Sequence, residues 1–275
     1  MSVLVIAEPG CTHEGRFDAL VRLLHKAADG GANVFKPQWV SDVDAMLARR
    51  HIGLDHPKRA YYARAYRWLN FPVAWHGELA RQSHARGMQY AVTAFLPQDV
   101  ATVAPFVEYL KVSSFEACDV DLLSALRVVP ATQVLISCGM STTTPYDALA
   151  ITVKLPCWWD VHVLHCVSSY PAPLAALNLR ILSRDDARPV FDGYSDHSRD
   201  LRVGMVAVAA GASIIETHFR LDTCDPANPD YAVAFTPDEF AQYVHNIRDA
   251  EVMLGTGEKQ VQACEAWALP YKVTG

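Results

Sequence analysis

Two histidines occupy equivalent places in the sequence, each at the end of a short apolar run that is typical of a buried strand. His197 ends Phe191-Asp-Gly-Tyr-Ser-Asp-His197, and His218 lies in Ile214-Ile-Glu-Thr-His218-Phe219. If these strands are neighbours in a parallel barrel, both imidazoles project from the same rim. Two neutral imidazoles that converge on one point suit a divalent transition metal. We therefore predict that His197 and His218 bind a metal, against the alternative that each makes only structural hydrogen bonds.

Two lysines are embedded in apolar strand sequence, Lys36 after Val-Phe and Lys111 after Tyr-Leu. A lysine inside a barrel must be paired with another group, because an unpaired buried charge is costly. Glu8 and Glu116 could neutralise both lysines in a purely structural arrangement. Other strand candidates supply hydroxyl groups at their ends, namely those of Thr93, Ser114, Ser137 and Ser195. Lysines and hydroxyls around one rim favour a clamp for a phosphate or carboxylate group.

The elements that must position these residues are short apolar runs that alternate with helical patterns. Because the runs are continuous, they are typical of strands covered on both faces. The strand candidates are Val3–Ala7, Asn33–Pro37, Gln89–Ala94, Tyr109–Val112, Gln133–Ser137, His162–Cys166, Phe191–Ser195 and Ser213–Glu216. Eight strand–helix units in 275 residues predict a single-domain α/β fold, a (β/α)₈ TIM barrel over residues 1–255. A doubly wound open sheet is the alternative.

Residues 42–72 form an insertion after the second strand that is longer than a normal βα connection. The insertion holds Tyr61, Tyr62 and Tyr66. We expect it to overhang the barrel mouth, where it could act as a lid. Residues 256–275 are too few for a further domain and are predicted to form a C-terminal tail.

The charge and hydropathy of the sequence argue against some kinds of binding partner. The formal net charge is −6 and no basic patch stands out, so neither nucleic acid nor an acidic membrane surface is expected. No apolar run approaches the roughly 20 residues of a membrane-spanning helix, and the N-terminal segment lacks the basic region of a signal peptide. The seven cysteines are scattered without a CxxC pair, which indicates the reducing cytoplasm.

Taken together, the motifs resemble those of the sialic acid (N-acetylneuraminate) synthase family, in the same order along the chain. The matching segments are Ala7-Glu8-Pro-Gly-Cys-Thr-His13-Glu-Gly15, Phe35-Lys36-Pro-Gln38, Thr93-Ala-Phe95, Lys111-Val-Ser-Ser114-Phe-Glu116, Ile136-Ser137-Cys-Gly-Met-Ser141, Leu164-His-Cys-Val-Ser-Ser-Tyr-Pro-Ala-Pro173, Gly193-Tyr-Ser-Asp-His197, Ile215-Glu-Thr-His-Phe219 and Asn228-Pro-Asp230. The combined set is specific, although no single motif is. The resemblance implies a barrel enzyme, a transferase that condenses phosphoenolpyruvate with an acylamino-sugar aldehyde and releases a nonulosonic acid and phosphate.

The resemblance also implies a metal and a role for particular residues. The metal is a divalent ion, Mn²⁺ first and Mg²⁺ or Co²⁺ as alternatives, bound by His197 and His218. The phosphoenolpyruvate site is implied to contain Lys36, Gln38, Thr93, Lys111, Ser114, Ser137, Ser168 and Ser195. The acceptor sugar is implied to contact Glu116, Tyr170 and Asp230. The implied catalytic residues are Glu8, Glu216 and Lys36, with either carboxylate as the base.

Members of this family usually continue into a small C-terminal antifreeze-like domain, whereas this sequence stops at Gly275. We therefore expect the barrel domain only, with three alternatives: an unusual acceptor, a separate chain that supplies the missing domain, or a longer protein of which this sequence is a truncated part. A homodimer is a further expectation. Three other functions fit part of the pattern: a deoxyoctulosonate- or deoxyheptulosonate-type synthase that uses a phosphosugar, a non-catalytic barrel that binds a sugar acid, and a metal-dependent hydrolase. The lysine pair argues against the last two.

Overall fold

The computed structural model describes residues 2–127, 129, 133–141, 160–183 and 191–273. Eight parallel strands form a closed barrel in chain order. The strands are β1 (Leu4–Gly10), β2 (Val34–Trp39), β3 (Gln89–Ala94), β4 (Tyr109–Val112), β5 (Gln133–Cys138), β6 (Val161–Cys166), β7 (Gly193–Asp196) and β8 (Ile214–His218). The predicted (β/α)₈ barrel is therefore confirmed, and the alternative of an open sheet is wrong.

Helices connect the strands and cover the outside of the barrel. In the described part of the chain they are α1 (Phe17–Asp29), α2 (Val43–Arg49), α3 (Arg59–Leu69), α4 (Ala74–Ala85), α5 (Pro97–Val103), α6 (Val120–Leu126), α7 (Val203–Ala209) and α8 (Pro237–Leu254). Helix α8 begins with a capping box, in which Glu239 N donates to Thr236 Oγ1 at 3.3 Å and Thr236 N donates to Glu239 Oε2 at 2.8 Å. None of the described helices is long and apolar enough to cross a bilayer.

The alternation of side chains along each strand divides the barrel interior into two layers. In β1, Val5 and Ala7 pack on the helices, whereas Ile6 and Glu8 point inward. The lower layer is apolar and consists of Ile6, Val34, Ala91, Tyr109, Leu135, Leu164 and Ile214. Two residues further along six of these strands lies a polar layer that contains Glu8, Lys36, Thr93, Lys111, Ser137 and Glu216. The apolar layer thus supports a ring of polar side chains at the carboxyl ends of the strands.

Strands β1 and β8 close the barrel, and their register brings Glu8 opposite His218. In the neighbouring pair, Ser195 of β7 lies opposite Glu216 of β8. Both closing strands run further than the sequence predicts, β1 to Gly10 and β8 to His218. Glu8 and His218 are therefore held by paired backbone and not by a mobile loop.

The connection after β2 contains α2 and α3, which are the helices of the predicted insertion. Asp42 begins α2, because its Oδ1 accepts a hydrogen bond from Ala45 N at 2.9 Å. After α8 the chain forms a 3₁₀ helix, Ala263–Tyr271, whose side chains are largely exposed. The domain boundaries assigned from the sequence stay predictions.

Candidate active site

The polar layer holds four charged side chains that neutralise one another. Lys36 forms an ion pair with Glu8, and its Nζ lies 3.6 Å from Glu216 Oε2. Lys111 Nζ lies 3.8 Å from Glu216 Oε1. All four residues are at most 4% exposed. Two positive and two negative charges are tolerated here because each has an opposite charge beside it.

Burial and the neighbouring charges shift the pKa values of Lys36 and Glu216. Burial lowers the pKa of Lys36 to about 7, although the charge of Glu216 opposes this change. Burial alone would raise the pKa of Glu216, but the charges of Lys111 and Lys36 lower it to about 2. At neutral pH, Glu216 is therefore ionised, and Lys36 can both give and accept a proton.

Hydroxyl groups surround the lysines. Lys36 Nζ donates to Thr93 Oγ1 at 2.6 Å, and Ser195 Oγ donates to Glu216 Oε1 at 2.8 Å. Ser137 Oγ is buried and has no hydrogen-bond partner among the described residues. Because an unpaired buried hydroxyl costs about 1–3 kcal/mol, Ser137 is a candidate donor to a bound ligand.

Ser114 and Ser168 contact each other beside this group, with their Oγ atoms 2.8 Å apart. The backbone at Gly139 approaches them closely. A Cβ atom on Gly139 would lie 2.3 Å from Ser168 Oγ and 2.9 Å from Cys166 Sγ. Only glycine fits at this position, so the turn after β5 packs directly on the serine pair.

His197 and His218 lie at the ends of β7 and β8, with their ring centroids 5.6 Å apart. His197 Nδ1 donates to Val167 O at 3.0 Å, in the tautomer that leaves Nε2 with a free lone pair. His218 Nδ1 is buried and has no hydrogen-bond partner in the described part of the chain. Burial lowers the pKa of both imidazoles, that of His197 to about 4. Both rings are therefore neutral at pH 7, which is the form that binds a metal.

These two imidazoles fit a divalent transition ion, because each keeps a nitrogen that makes no hydrogen bond with any residue the structure describes. The ring of Tyr170 lies against the pair, with its centroid 4.3 Å from that of His197 and 6.2 Å from that of His218. Over the described ranges, no group of three or more His, Cys, Asp or Glu side chains forms a metal cluster. Within those ranges, the residues that would hold a metal are therefore His197 and His218.

The loop after β8 is fastened to the end of β1. Cys11 N donates to Asp230 Oδ2 at 2.7 Å, and Asn228 Nδ2 donates to Cys11 O at 3.0 Å. A Cβ atom on Gly10 would lie 2.2 Å from Asp230 Oδ2 and 3.1 Å from His218 Nδ1. Asp230 and His218 therefore both pack against the bare Cα atom of Gly10.

Two cavities adjoin at the barrel mouth and share Gln38 and Tyr170. The inner cavity has a volume of about 30 Å³ and is lined by Glu8, Lys36, Gln38, Thr93, Lys111, Ser113, Ser114, Ser137, Tyr170, Ser195, His197, Glu216 and His218. The outer cavity has a volume of about 660 Å³ and is lined by Cys11, Gln38, Pro57, Lys58, Tyr61, Tyr62, Ala65, Tyr66, Leu69, Phe115, Tyr170, Pro229 and Asp230. The inner cavity holds the four buried charged groups, and five of the thirteen residues that line the outer cavity are aromatic.

Most of the site residues predicted from the sequence meet at these cavities. The inner cavity collects every residue assigned to phosphoenolpyruvate except Ser168, which contacts Ser114 from outside the lining. Tyr170 and Asp230 line the outer cavity. Glu116 does not, because its carboxylate pairs with Arg50 at 2.6 Å and borders a separate cavity. The assigned roles stay predictions, and the position of Glu116 favours a structural role.

Sequence reasoning missed two contacts of the site. Arg50 was not recognised as the partner of Glu116, since an arginine in a long polar connection is usually solvated. The contact of Gly10 with Asp230 joins residues that are far apart in the sequence. The signal that could have found it is the glycine itself, which stands at the end of an apolar strand where a side chain would be expected.

The chain is similar in sequence and in fold to a set of known proteins. The model of the NeuB family matches residues 23–259. N,N'-diacetyllegionaminic acid synthase of Legionella pneumophila is 30% identical over 276 residues, which cover 94% of this chain and 75% of that protein. N-acetylneuraminate-9-phosphate synthase of Homo sapiens is 27% identical over 270 residues, covering 95% and 74%. The crystal structure of N-acetylneuraminic acid (sialic acid) synthetase from Leptospira borgpetersenii, in complex with citrate, matches with a TM-score of 0.83 and 27% identity over 98% of this chain and 91% of that one. The chain therefore belongs to the NeuB family.

Proposed function

We propose that this protein condenses phosphoenolpyruvate with an acylamino-sugar aldehyde to give a nonulosonic acid and phosphate. The observation that carries the proposal is a single inner cavity that combines Lys36 and Lys111 with the imidazoles of His197 and His218. Anion-binding groups beside a neutral imidazole pair suit a phosphorylated enol that reacts with an aldehyde. The relatives are named as synthases of sugar acids of this kind, which supports the same reaction here.

The inner cavity is the proposed site of phosphoenolpyruvate. Its phosphate and carboxylate both need cationic or hydroxyl partners. A cavity of about 30 Å³ holds only one or two water molecules, so the substrate must displace protein contacts when it enters. We expect Lys36 and Lys111 to turn from their carboxylates toward the substrate anions, with the unpaired hydroxyl of Ser137 as a further donor.

His197 and His218 would hold the divalent ion, for which Mn²⁺ is the proposed metal and Mg²⁺ or Co²⁺ are alternatives. When bound, such an ion polarises the aldehyde oxygen of the acceptor as a Lewis acid. The hydrogen bond from His197 Nδ1 to Val167 O fixes the tautomer and the orientation of the ring. Tyr170 covers one side of the same ring and shields it from water.

The reaction forms one carbon–carbon bond and one carbon–oxygen bond, the latter from water, and breaks the carbon–oxygen bond between C2 and the phosphate. C3 of phosphoenolpyruvate attacks the aldehyde carbon, water adds at C2, and the C2–O bond breaks to release phosphate. Glu216, held ionised between the lysines, stabilises positive charge that develops at C2. Lys36 is the group that can give a proton to an oxygen of the substrate at neutral pH. Glu8 and Glu216 are the two carboxylates that can accept the proton of the attacking water.

The outer cavity is the proposed site of the acceptor sugar, because it adjoins the inner cavity through Gln38 and Tyr170. Asp230 lines it and can accept hydrogen bonds from sugar hydroxyls. The named products of the relatives differ in whether they carry a phosphate. The acceptor of this chain must therefore be inferred from its own cavity.

The proposal is tested by phosphate release from phosphoenolpyruvate in the presence of Mn²⁺ and a panel of aldoses headed by N-acetylmannosamine. We expect release that depends on both the sugar and the metal. His197→Ala should abolish release and weaken Mn²⁺ binding measured by calorimetry, while its circular dichroism stays that of the wild type. His245→Ala is the matched control, since His245 is exposed on α8. Full activity of His197→Ala would contradict the metal assignment.

Two further expectations accompany this proposal. A cytoplasmic location is supported by the described cysteines, none of which forms a disulfide bond within the described part of the chain, namely Cys11, Cys118, Cys138, Cys166, Cys224 and Cys264. A partner, either a second copy of the chain or a separate polypeptide that completes the pocket, stays a prediction. Light scattering of the purified chain measures whether it binds a second copy of itself.

A further inference from the structure

Tyr243 lies outside the barrel, on helix α8, and its hydroxyl group reaches the end of strand β7. The side chain is fully buried, and Tyr243 Oη donates to Asp196 Oδ2 at 2.8 Å. Asp196 is the last residue of β7 and directly precedes His197. Because Ser195 points into the inner cavity, Asp196 points to the opposite face of the strand, toward α8. A helix outside the barrel therefore contacts the strand end that carries the first imidazole.

The carboxyl group of Asp196 connects Tyr243 to the backbone around His197. Its Oδ1 accepts a hydrogen bond from Ser198 N at 2.8 Å, which closes the turn that contains His197. The backbone oxygen of Asp196 accepts a hydrogen bond from Thr217 Oγ1 of β8 at 3.4 Å. Asp196 is only 1% exposed, so water cannot easily replace a lost hydrogen bond. Loss of the Tyr243 hydroxyl would therefore disturb the turn that orients His197.

The ring of Tyr243 supports the second imidazole through Phe235. Phe235 N donates to His218 O at 3.0 Å, and Phe235 O accepts a hydrogen bond from Arg220 N at 2.8 Å. Phe235 thus holds the backbone at the end of β8 in place. The ring centroids of Phe235 and Tyr243 are 4.9 Å apart. One tyrosine therefore contacts the supports of both imidazoles.

A glycine on the neighbouring helix makes room for this tyrosine. A Cβ atom on Gly204 of α7 would lie 2.6 Å from Tyr243 Cζ and 2.8 Å from Tyr243 Oη, whereas ordinary contact begins at 3.4 Å. The phenol therefore packs directly on the backbone of α7. Because the surroundings are this tightly packed, the hydroxyl group is held against Asp196.

We propose that Tyr243 is a positioning residue for the metal site and acts from outside the barrel. Its hydroxyl group orients His197 through Asp196. Its ring orients His218 through Phe235. Tyr243 lines neither the inner nor the outer cavity, so it acts through the residues that it contacts. The inference rests on the proposed function, because it takes these two imidazoles as the metal ligands.

Tyr243→Phe tests the part played by the hydroxyl group, because phenylalanine keeps the ring. Groups that orient a metal ligand typically contribute about 10–100-fold to metal affinity. We expect the Kd for Mn²⁺, measured by calorimetry, to rise at least about tenfold. At saturating Mn²⁺, kcat should fall while KM for phosphoenolpyruvate stays that of the wild type. An unchanged Kd for Mn²⁺ would overturn the inference.

Tyr90→Phe is the matched control. Tyr90 is also fully buried, and its hydroxyl group lies 2.8 Å from His76 Nδ1, between β3 and α4. Both variants lose one buried hydrogen bond, so both should unfold at lower urea concentrations than the wild type. Only Tyr243→Phe should bind Mn²⁺ more weakly. Equal weakening in the two variants would mean a general loss of stability and would overturn the inference.

Nitrogen NMR of the imidazoles in the metal-free protein separates this inference from the proposed metal site. If the wild type binds none of Mn²⁺, Mg²⁺ and Co²⁺, the metal site fails, and the NMR comparison still reports how the imidazoles are held. Tyr243→Phe should shift the resonances of His197 and leave those of His76 unchanged. Tyr90→Phe should do the reverse. Unchanged His197 resonances in Tyr243→Phe would overturn the inference even if the metal binds.

Tyr243→Leu tests the part played by the ring, because it removes the contact with Phe235 as well as the hydroxyl group. The resonances of His218 should shift in this variant, and its Kd for Mn²⁺ should exceed that of Tyr243→Phe. If the His218 resonances stay those of the wild type, the proposed support of His218 by Tyr243 is wrong.

Discussion

Gly10→Ala provides a sharp test of how the site is positioned. The added Cβ atom would lie 2.2 Å from Asp230 Oδ2, whereas ordinary contact begins at 3.4 Å. Asp230 must therefore retreat by about 1.2 Å, and His218 Nδ1, at 3.1 Å, by about 0.3 Å. A displacement of about 1 Å in a catalytic arrangement costs on the order of 100-fold in rate. We expect kcat/KM to fall by about that factor, which corresponds to about 2.7 kcal/mol of transition-state stabilisation.

The backbone at Gly10 has φ of +51°, so alanine there is also strained. This strain costs about 1–2 kcal/mol of stability in any left-handed position. Gly87→Ala is the matched control, because Gly87 has φ of +74° and a Cβ atom there would meet nothing within 4 Å. Both variants should unfold at lower urea concentrations than the wild type, and only Gly10→Ala should lose phosphate release and Mn²⁺ affinity. Equal activity of the two variants would refute the argument that Gly10 positions Asp230 and His218.

Three further predictions concern charge and protonation. Lys111→Met should raise KM for phosphoenolpyruvate at least about tenfold. Lys26→Met, on the exposed face of α1, is the control and should leave KM unchanged. Equal KM values in the two variants would count against Lys111 as a ligand of the substrate anion. Glu8→Gln removes the anionic partner of Lys36 and lowers its pKa further, so the decline of kcat/KM at high pH should begin at a lower pH than in the wild type; a shift to higher pH would contradict this ion pair. Burial lowers the pKa of His76 to about 4 from its usual 6.5, so the unfolded state binds more protons and stability falls as the pH drops from 6.5 to 4, by about 3 kcal/mol. His76→Phe should lose less stability than the wild type between pH 7 and pH 4, measured by urea unfolding at both pH values. If the two proteins lose the same stability, His76 is not the cause.

The barrel could be predicted from the succession of eight apolar runs and helical patterns, and most of the polar layer follows from the alternation of side chains within each strand. A buried parallel strand alternates its side chains, so a polar residue that follows an apolar one by two positions points into the same interior. Lys36 after Val34 and Lys111 after Tyr109 obey this rule. The rule holds wherever the strand is regular.

The contacts between loops could not be predicted in the same way. Arg50 and Glu116 belong to two connections whose approach depends on the path of the insertion across the barrel mouth. No periodicity relates them, and Glu116 was therefore assigned to the acceptor by its motif alone. The sequence also does not predict that β8 extends to His218. Thr217 and His218 are polar and end the apolar pattern, but their backbone still pairs with β1.

The closure of the barrel has a consequence for synthesis of the chain. Leu4 of β1 pairs with Ile214 of β8, which is 210 residues later. At about 5–20 residues per second, a ribosome needs roughly 10–40 s to cover that interval. During this time β1 can pair with β2 on one side only, and its other edge presents free N–H and C=O groups to any neighbouring chain. The nascent chain can therefore aggregate through this edge until β8 emerges and covers it. Variants that slow translation before residue 214 should depend most on chaperones.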